Sequence, residues 1–349
     1  MTFEIDFQNV TFVYEGSDIP ALKDINLSIS PGEIVLITGP AGSGKTTLCS
    51  CINGLVPHFH EGDLQGNVLV RSYNTKKARV GGLASLVGMV FQDPESQLVT
   101  SSVADEVAFG PENFGVVREE INKRVLDALK ATRLEGYEER EPYNLSGGEQ
   151  QACVIASVYA VQPDIYVMDE PLANLDPAGR AQVLRLIIDV AKKRGKTLVI
   201  VEHALEEVIP LVDRIIILNE GKIVRDGTVE EVLSLGDIPQ VFTRPPIIRL
   251  AEKFLQQVKP LTPEIFYQEL STKYNLRTIQ ANHSSVREPL LSGKPIIEVK
   301  DVSYSYTQRA EALKNISLTI REGELVAILG RNGSGKTTLV RHLIGLIKP

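Results

Sequence analysis

The stretch Glu33–Thr47, EIVLITGPAGSGKTT, leaves this chain little conformational freedom. Its largely continuous apolar run is what a strand buried on both faces of a parallel sheet requires. The run empties directly into Gly39–Thr47, which fits G-x-x-x-x-G-K-[ST] and opens onto a helix from about Lys45. Glycines in such a turn let successive N–H groups point inward at phosphate oxygens, and the helix N-terminus behind them adds a favourable partial charge. Gly39, Pro40, Ala41, Gly42, Ser43, Gly44 and Thr47 are thus candidate cradle residues. Lys45 is placed to reach the β- and γ-phosphates of a nucleotide, and the Thr46 hydroxyl to bind Mg2+. A glycine-rich turn with a chance lysine is the plainer alternative, and a second copy of the motif argues against it.

That second copy is Gly330–Thr338, with Gly330, Asn332, Gly333, Ser334, Gly335, Lys336, Thr337 and Thr338 as candidate phosphate contacts. The correspondence runs further back, from Ala21–Leu48 to Ala312–Leu339, and VTFVY at Val10–Tyr14 answers VSYSY at Val302–Tyr306. A period of roughly three hundred residues means a repeated domain rather than a solenoid. The expected organisation is a first domain over residues 1–235, a partly helical linker over 236–294, and the opening of a second copy over 295–349. The adjacent Pro245 and Pro246 mark a break within the linker.

Within the first copy, FEIDF and INLSI read as strands, and DIYVMDE, TLVIVEH and RIIILNE as buried strands separated by helices or turns. Residues from about Ser101 to Ala160 read as mostly helical, with REEINKRVLDALKAT the clearest amphipathic run. Alternation of this kind specifies a doubly wound α/β core. The 349 residues exceed one ordinary core, and the formal net charge of −7 argues against a sequence-independent grip on nucleic acid. No run approaches the ~20 apolar residues of a transmembrane helix, and no signal peptide is read, so any membrane role is expected to come through a partner. Cys49, Cys51 and Cys153 lack metal spacing and read as small buried thiols of a reducing compartment.

Two further motifs narrow the chemistry. IYVMDEP places Asp169 and Glu170 at the end of a buried strand, where Asp169 can hold Mg2+ and Glu170 can polarise a water. In LSGGEQ, Leu145–Gln150, Ser146 can cap the following helix while Gly147 and Gly148 let backbone approach an anion. One nucleotide does not need two such surfaces from one domain. The second surface is expected to serve a nucleotide held elsewhere.

With the order phosphate loop, Gln92, LSGGEQ, Asp169–Glu170, NLD at Asn174–Asp176 and His203, the first copy resembles an ABC-type ATPase. The resemblance implies a P-loop fold with a RecA-like parallel core, an antiparallel β subdomain and an α-helical signature subdomain. It also implies ATP and Mg2+ as cofactors. Tyr14 would stack on adenine, Gln92 would sense the γ-phosphate and Mg2+, Asp176 would act across a dimer interface, and His203 would contact the γ-phosphate.

A narrower resemblance lies in Met89–Val116, where DEVAFGPENFG is similar to the ATPases of energy-coupling factor (ECF) importers of vitamins and metal ions. NGLVPHFHEGDLQGNVLV and the linker resemble the subgroup with two fused ATPase domains. This implies a membrane-embedded transport partner, a peripheral position on the cytoplasmic face, and a sandwich of two ATPase domains. The second domain would be the chain's own missing C-terminal half or another copy in a homodimer, because no second signature or acidic pair precedes Pro349 and truncation is expected. The strand before Gly330 is expected to lack parallel neighbours and expose an apolar face. Two rivals remain at this point, a soluble non-transport ABC ATPase and a non-catalytic regulatory or assembly subunit.

Overall fold

The computed structural model describes residues 3–173, 175–193, 195–234, 245–256, 262–274, 293–307, 310–330 and 334–348. They fall into two compact units, Met1–Asn275 and Leu276–Pro349.

The first unit holds two sheets. An antiparallel sheet of order β2-β1-β4-β5 is built from β1 (Ile5–Tyr14), β2 (Leu22–Ile29), β4 (Gly62–Val70) and β5 (Tyr73–Asn74). Its strands alternate, β1 burying Ile5, Phe7, Val10 and Phe12 with a register shift at Asn9, where φ is 50°. The second sheet has the order β10-β9-β3-β8-β7-β6, from β3 (Ile34–Thr38), β6 (Val87–Val90), β7 (Ile165–Asp169), β8 (Thr197–Val201), β9 (Arg214–Asn219) and β10 (Lys222–Thr228). All pairs are parallel except β9–β10. Every residue of β3, β7 and β8 is buried, as a sheet covered on both faces demands.

Period-2 geometry sorts these apolar strands between two cores. Leu36, Met168, Ile200 and Ile215 face one, while Ile37, Val167, Val201 and Ile216 face the other. Each such side chain, fully buried, contributes roughly 1.5–3 kcal/mol. The second core is closed by α1 (Lys45–Ile52) and the antiparallel sheet, with the short α2 (Leu55–His58) and α3 (Val80–Leu83) alongside. The first is closed by α4 (Val103–Asn113), α5 (Arg118–Thr132), α6 (Gly147–Val161) and α7 (Pro177–Lys193), with α8 (Leu205–Val208) and α9 (Val229–Ser234) near its rim. Cys49, Cys51 and Cys153 are free and buried.

α5 coincides with the amphipathic run read from sequence and buries Ile121, Val125, Ala128, Leu129 and Thr132 along one stripe. The helical expectation for 101–160 is nevertheless interrupted. Arg133 and Gly136 turn left-handed after α5, and helix resumes at α6 behind Ser146.

Helices α10 (Pro246–Leu255) and α11 (Pro263–Lys273) lie in the stretch expected to be a linker. They belong to the first unit: Ile248 joins its main core, and Ala251 and Leu255 pack against Phe266 and Leu270. The rest of the linker lies outside the described residues.

The second unit contains the antiparallel pair β11 (Pro295–Thr307) and β12 (Ala310–Arg321), then α12 (Lys336–Leu343). Residues 324–330 form no strand, and Leu325 and Leu329 are exposed.

Candidate nucleotide site

The carboxyl ends of β3, β6, β7 and β8 carry, in turn, the phosphate loop, Gln92, Asp169–Glu170 and His203. Ligands of doubly wound sheets bind at this end. Residues scattered over more than half of the first unit are gathered there because their strands are neighbours in the sheet.

The loop is held tightly from outside. Gly39 has φ 149°, and a Cβ there would stand 2.0 Å from the Leu218 carbonyl oxygen. Gly44 has φ 102°, and a Cβ would stand 2.4 Å from the Ala21 carbonyl oxygen. Pro40, Ala41, Gly42 and Ser43 run between them, and the Ser43 hydroxyl is buried without a hydrogen-bond partner. Lys45, itself buried, donates to the Gly39 and Pro40 carbonyl oxygens at 3.1 and 2.9 Å. Burial lowers its pKa, opposed by Glu170 and Asp169. A desolvated ammonium folded over the loop is ready to exchange carbonyls for phosphate oxygens.

Asp169 and Thr46 meet in front of this loop. Burial raises the Asp169 pKa, and a hydrogen bond from Thr46 opposes the rise. Asp169 Oδ1 is buried with no hydrogen-bond partner. A buried carboxylate oxygen left unpaired beside a hydroxyl suits a hard cation such as Mg2+. Gln92, the third expected ligand, donates from Nε2 to Glu170 Oε2 at 3.1 Å. The other oxygen, Glu170 Oε1, accepts from His203 Nε2 at 3.1 Å.

Tyr14 sits at the loop's flank, its hydroxyl 2.9 Å from Thr47 Oγ1 and its ring edge-on to Phe12. The second unit repeats this arrangement. Lys336 donates to the Gly330 carbonyl at 2.7 Å, Tyr306 lies 3.3 Å from Thr338 Oγ1, and Gly335 has φ 88°. Ser334 and Thr337 are described beside them, whereas Asn332 and Gly333 lie outside the described residues.

The signature motif is built differently. Ser146 is the N-cap of α6, and Glu149 reaches back so that its Oε2 accepts the Ser146 N–H at 2.8 Å and hydroxyl at 2.7 Å. Burial pushes the Glu149 pKa up, but these bonds and one from Tyr137 hold it below the ordinary range. A Cβ at Gly148 would meet nothing, and at Gly147 only Leu175 at 3.9 Å. Internal packing therefore does not demand these glycines. Asp176 accepts the Gly179 N–H at 2.8 Å at the start of α7, and Asn174 lies outside the described residues.

The ABC transporter family model matches residues 22–173 and again 313–349. The chain belongs to the ABC transporter family. A Caldanaerobacter subterraneus protein named as an ABC transporter ATP-binding protein is 42% identical over 358 residues, covering 99% of this chain and 62% of that protein. A Methanosarcina acetivorans protein of the same description is 37% identical over 364 residues, covering 99% and 59%. The chain thus spans about three-fifths of the length of the curated relatives it matches.

Among solved structures, cbiO1 from Clostridium perfringens, described as part of the ABC transporter complex cbiONQ, matches with TM-score 0.63 and 29% identity over 77% of this chain and 99% of that one. A dimeric ATP-binding cassette in a post-hydrolysis state, bound to ADP and Pi, matches with TM-score 0.57 and 31% identity over 64% of this chain and 98% of that one. The fold of the first unit is therefore that of an ABC cassette, with the parallel core, antiparallel sheet and helical layer that the family resemblance implied. Among the described residues, no helix is long and apolar enough to cross a membrane.

One buried group of this ABC cassette escaped the sequence reading. Glu202 follows β8 immediately before His203 and is buried. An acidic residue terminating the otherwise apolar TLVIV was the available signal.

Proposed function

We propose that the chain is the ATP-binding and ATP-hydrolysing subunit of an ECF-type importer of a vitamin or metal ion, peripheral on the cytoplasmic face of the membrane. The observation that carries the hydrolytic part of this reading is Glu170, seated between Gln92 and His203 beside the loop of Lys45, and the likeness to cbiO1 supports the ECF part.

Lys45 and the loop N–H groups bind and orient the β- and γ-phosphates, and Tyr14 stacks on the base. Mg2+, held by Thr46, Asp169 and Gln92, would neutralise charge on those phosphates. Glu170 accepts the proton of a water as it attacks the γ-phosphorus, and ADP leaves; His203 donates to the γ-phosphate. Ser146, Gly147 and Gly148 serve a nucleotide bound by another ATPase domain, either further along the same protein or in a second copy, with Asp176 acting across that interface. The second loop, Gly330–Thr338, binds a second nucleotide.

Coupling to a membrane-embedded subunit fits an apolar cavity of about 350 Å³ lined by Leu55, Met89, Gln97, Val99, Phe109 and Phe114. Val99, Phe109 and Phe114 are exposed there, and Gln97 accepts the Phe91 N–H at 2.7 Å, next to Gln92. A partner segment in this cavity would therefore press on the residue that touches Glu170.

Phosphate release from Mg·ATP by the purified chain tests the hydrolytic reading. Release that disappears in Lys45→Ala is the expected result; no release above that variant contradicts it. Recovery of the chain with its host's membranes, reduced by Phe109→Glu, tests the coupling.

A further inference from the structure

The loop after β7 carries Glu170, and the loop after β8 carries His203. Their side chains meet at 3.1 Å, yet the His203 side chain is about half exposed, at 49%. Something other than packing around the imidazole must set where it stands. Glu202 is 4% exposed and lies between the two loops. Its Oε1 accepts the Leu172 N–H at 2.8 Å, on the Glu170 side. Its Oε2 accepts the His203 N–H at 3.1 Å, and the Ala204 N–H also donates to this carboxylate. The Leu172, His203 and Ala204 amides lie outside strand and helix, so one side chain supplies acceptors that the backbone does not.

We infer that Glu202 is a positioning residue: its buried carboxylate ties the Glu170 loop to the His203 loop and so sets the distance between the two groups at the γ-phosphate. This rests on the hydrolytic reading of Glu170 and His203 given above. A carboxylate suits the task because both oxygens accept, whereas an amide offers one acceptor and turns a donor toward a donor. Burial raises the Glu202 pKa, and the bonds from the Leu172, His203 and Ala204 N–H groups oppose that rise by favouring the carboxylate. Asp is one methylene too short to reach both loops.

The test uses Glu202→Gln, Glu202→Asp and Glu202→Ala in the full chain, with amide hydrogen exchange read separately over residues 171–173 and 202–206. The inference expects faster exchange in both segments of every variant that folds. It further expects turnover at saturating Mg·ATP to fall by roughly ten- to a hundredfold, with ATP affinity within about threefold of the unsubstituted chain. A purely local structural role would loosen the His203 segment alone, or would weaken affinity and turnover together; either result overturns the inference, as does unchanged exchange. If Glu202→Ala fails to fold, the Gln and Asp variants carry the test. Failure of the hydrolytic reading looks different: no turnover in the unsubstituted chain, or turnover indifferent to Glu170→Gln.

Discussion

Gln92 Nε2 donates to Glu170 Oε2 at 3.1 Å, although 78 positions separate the two residues. The bond exists because β6 and β7 are parallel neighbours, pairing Val90 with Met168, so that both strands deliver their next residues to the same end of the sheet. Gln92 follows β6 directly after Phe91, which lines the apolar cavity, and Glu170 follows β7 beside the phosphate loop. Under the proposed coupling, movement at the cavity would change the surroundings of the carboxylate proposed to activate water.

Gly148→Ala separates packing from function. A methyl group there meets no neighbour, and alanine is the better helix former, though by less at this first-turn position than within a helix. The melting temperature should hold or rise slightly. Phosphate release should nevertheless fall by about tenfold or more, since the methyl would stand where a nucleotide phosphate is proposed to approach the helix N-terminus. Calorimetry and a phosphate assay on one preparation check both halves.

Tyr14 combines a ring and a hydroxyl with separable roles. Tyr14→Phe keeps the ring and deprives buried Thr47 of a partner, at a cost of about 1 kcal/mol in stability. ATP affinity should stay within about threefold, while Tyr14→Ala should weaken it by about tenfold, the worth of one base–aromatic stack. A fluorescent nucleotide titration distinguishes the two.

Asp169 has a stability signature. Burial raises its pKa above the usual 3.8, so the folded protein holds this proton more tightly than the unfolded chain does. The ionised carboxylate therefore costs stability above the folded pKa. That cost fades as pH falls through the folded pKa and is absent below about 3.8. Asp169→Asn removes it, so at pH 7 the nucleotide-free variant should melt at the same temperature or a few degrees higher, at about 2–4 °C per kcal/mol. The further rise that Mg·ATP gives the unsubstituted chain should be lost. Thermal melts with and without Mg·ATP measure both.

Much of the first unit was legible in the sequence because its strands are buried on both faces and so carry uninterrupted apolar runs: IVLIT, IYVMD and TLVIV each became a strand. The gathering of the candidate site residues was legible because the motifs follow those strands directly. What was hidden depends on neighbours rather than on local pattern. Ile34–Thr38 is a strand flanked by β8 and β9, whereas Leu325–Leu329, of similar composition, forms none: the described residues of the second unit offer it no parallel partner. Glu202 was missed for the same reason. The role proposed for it rests on three N–H groups, one of them on Leu172, thirty positions away.

The most direct measurement of the central claim is phosphate release at saturating Mg·ATP by Glu170→Gln beside the unsubstituted chain, with bound nucleotide identified in each. Gln keeps the shape of the side chain and removes its basicity. The account predicts that turnover falls by about a hundredfold or more while ATP stays bound and intact. Turnover within about twofold of the unsubstituted chain would contradict the role assigned to Glu170.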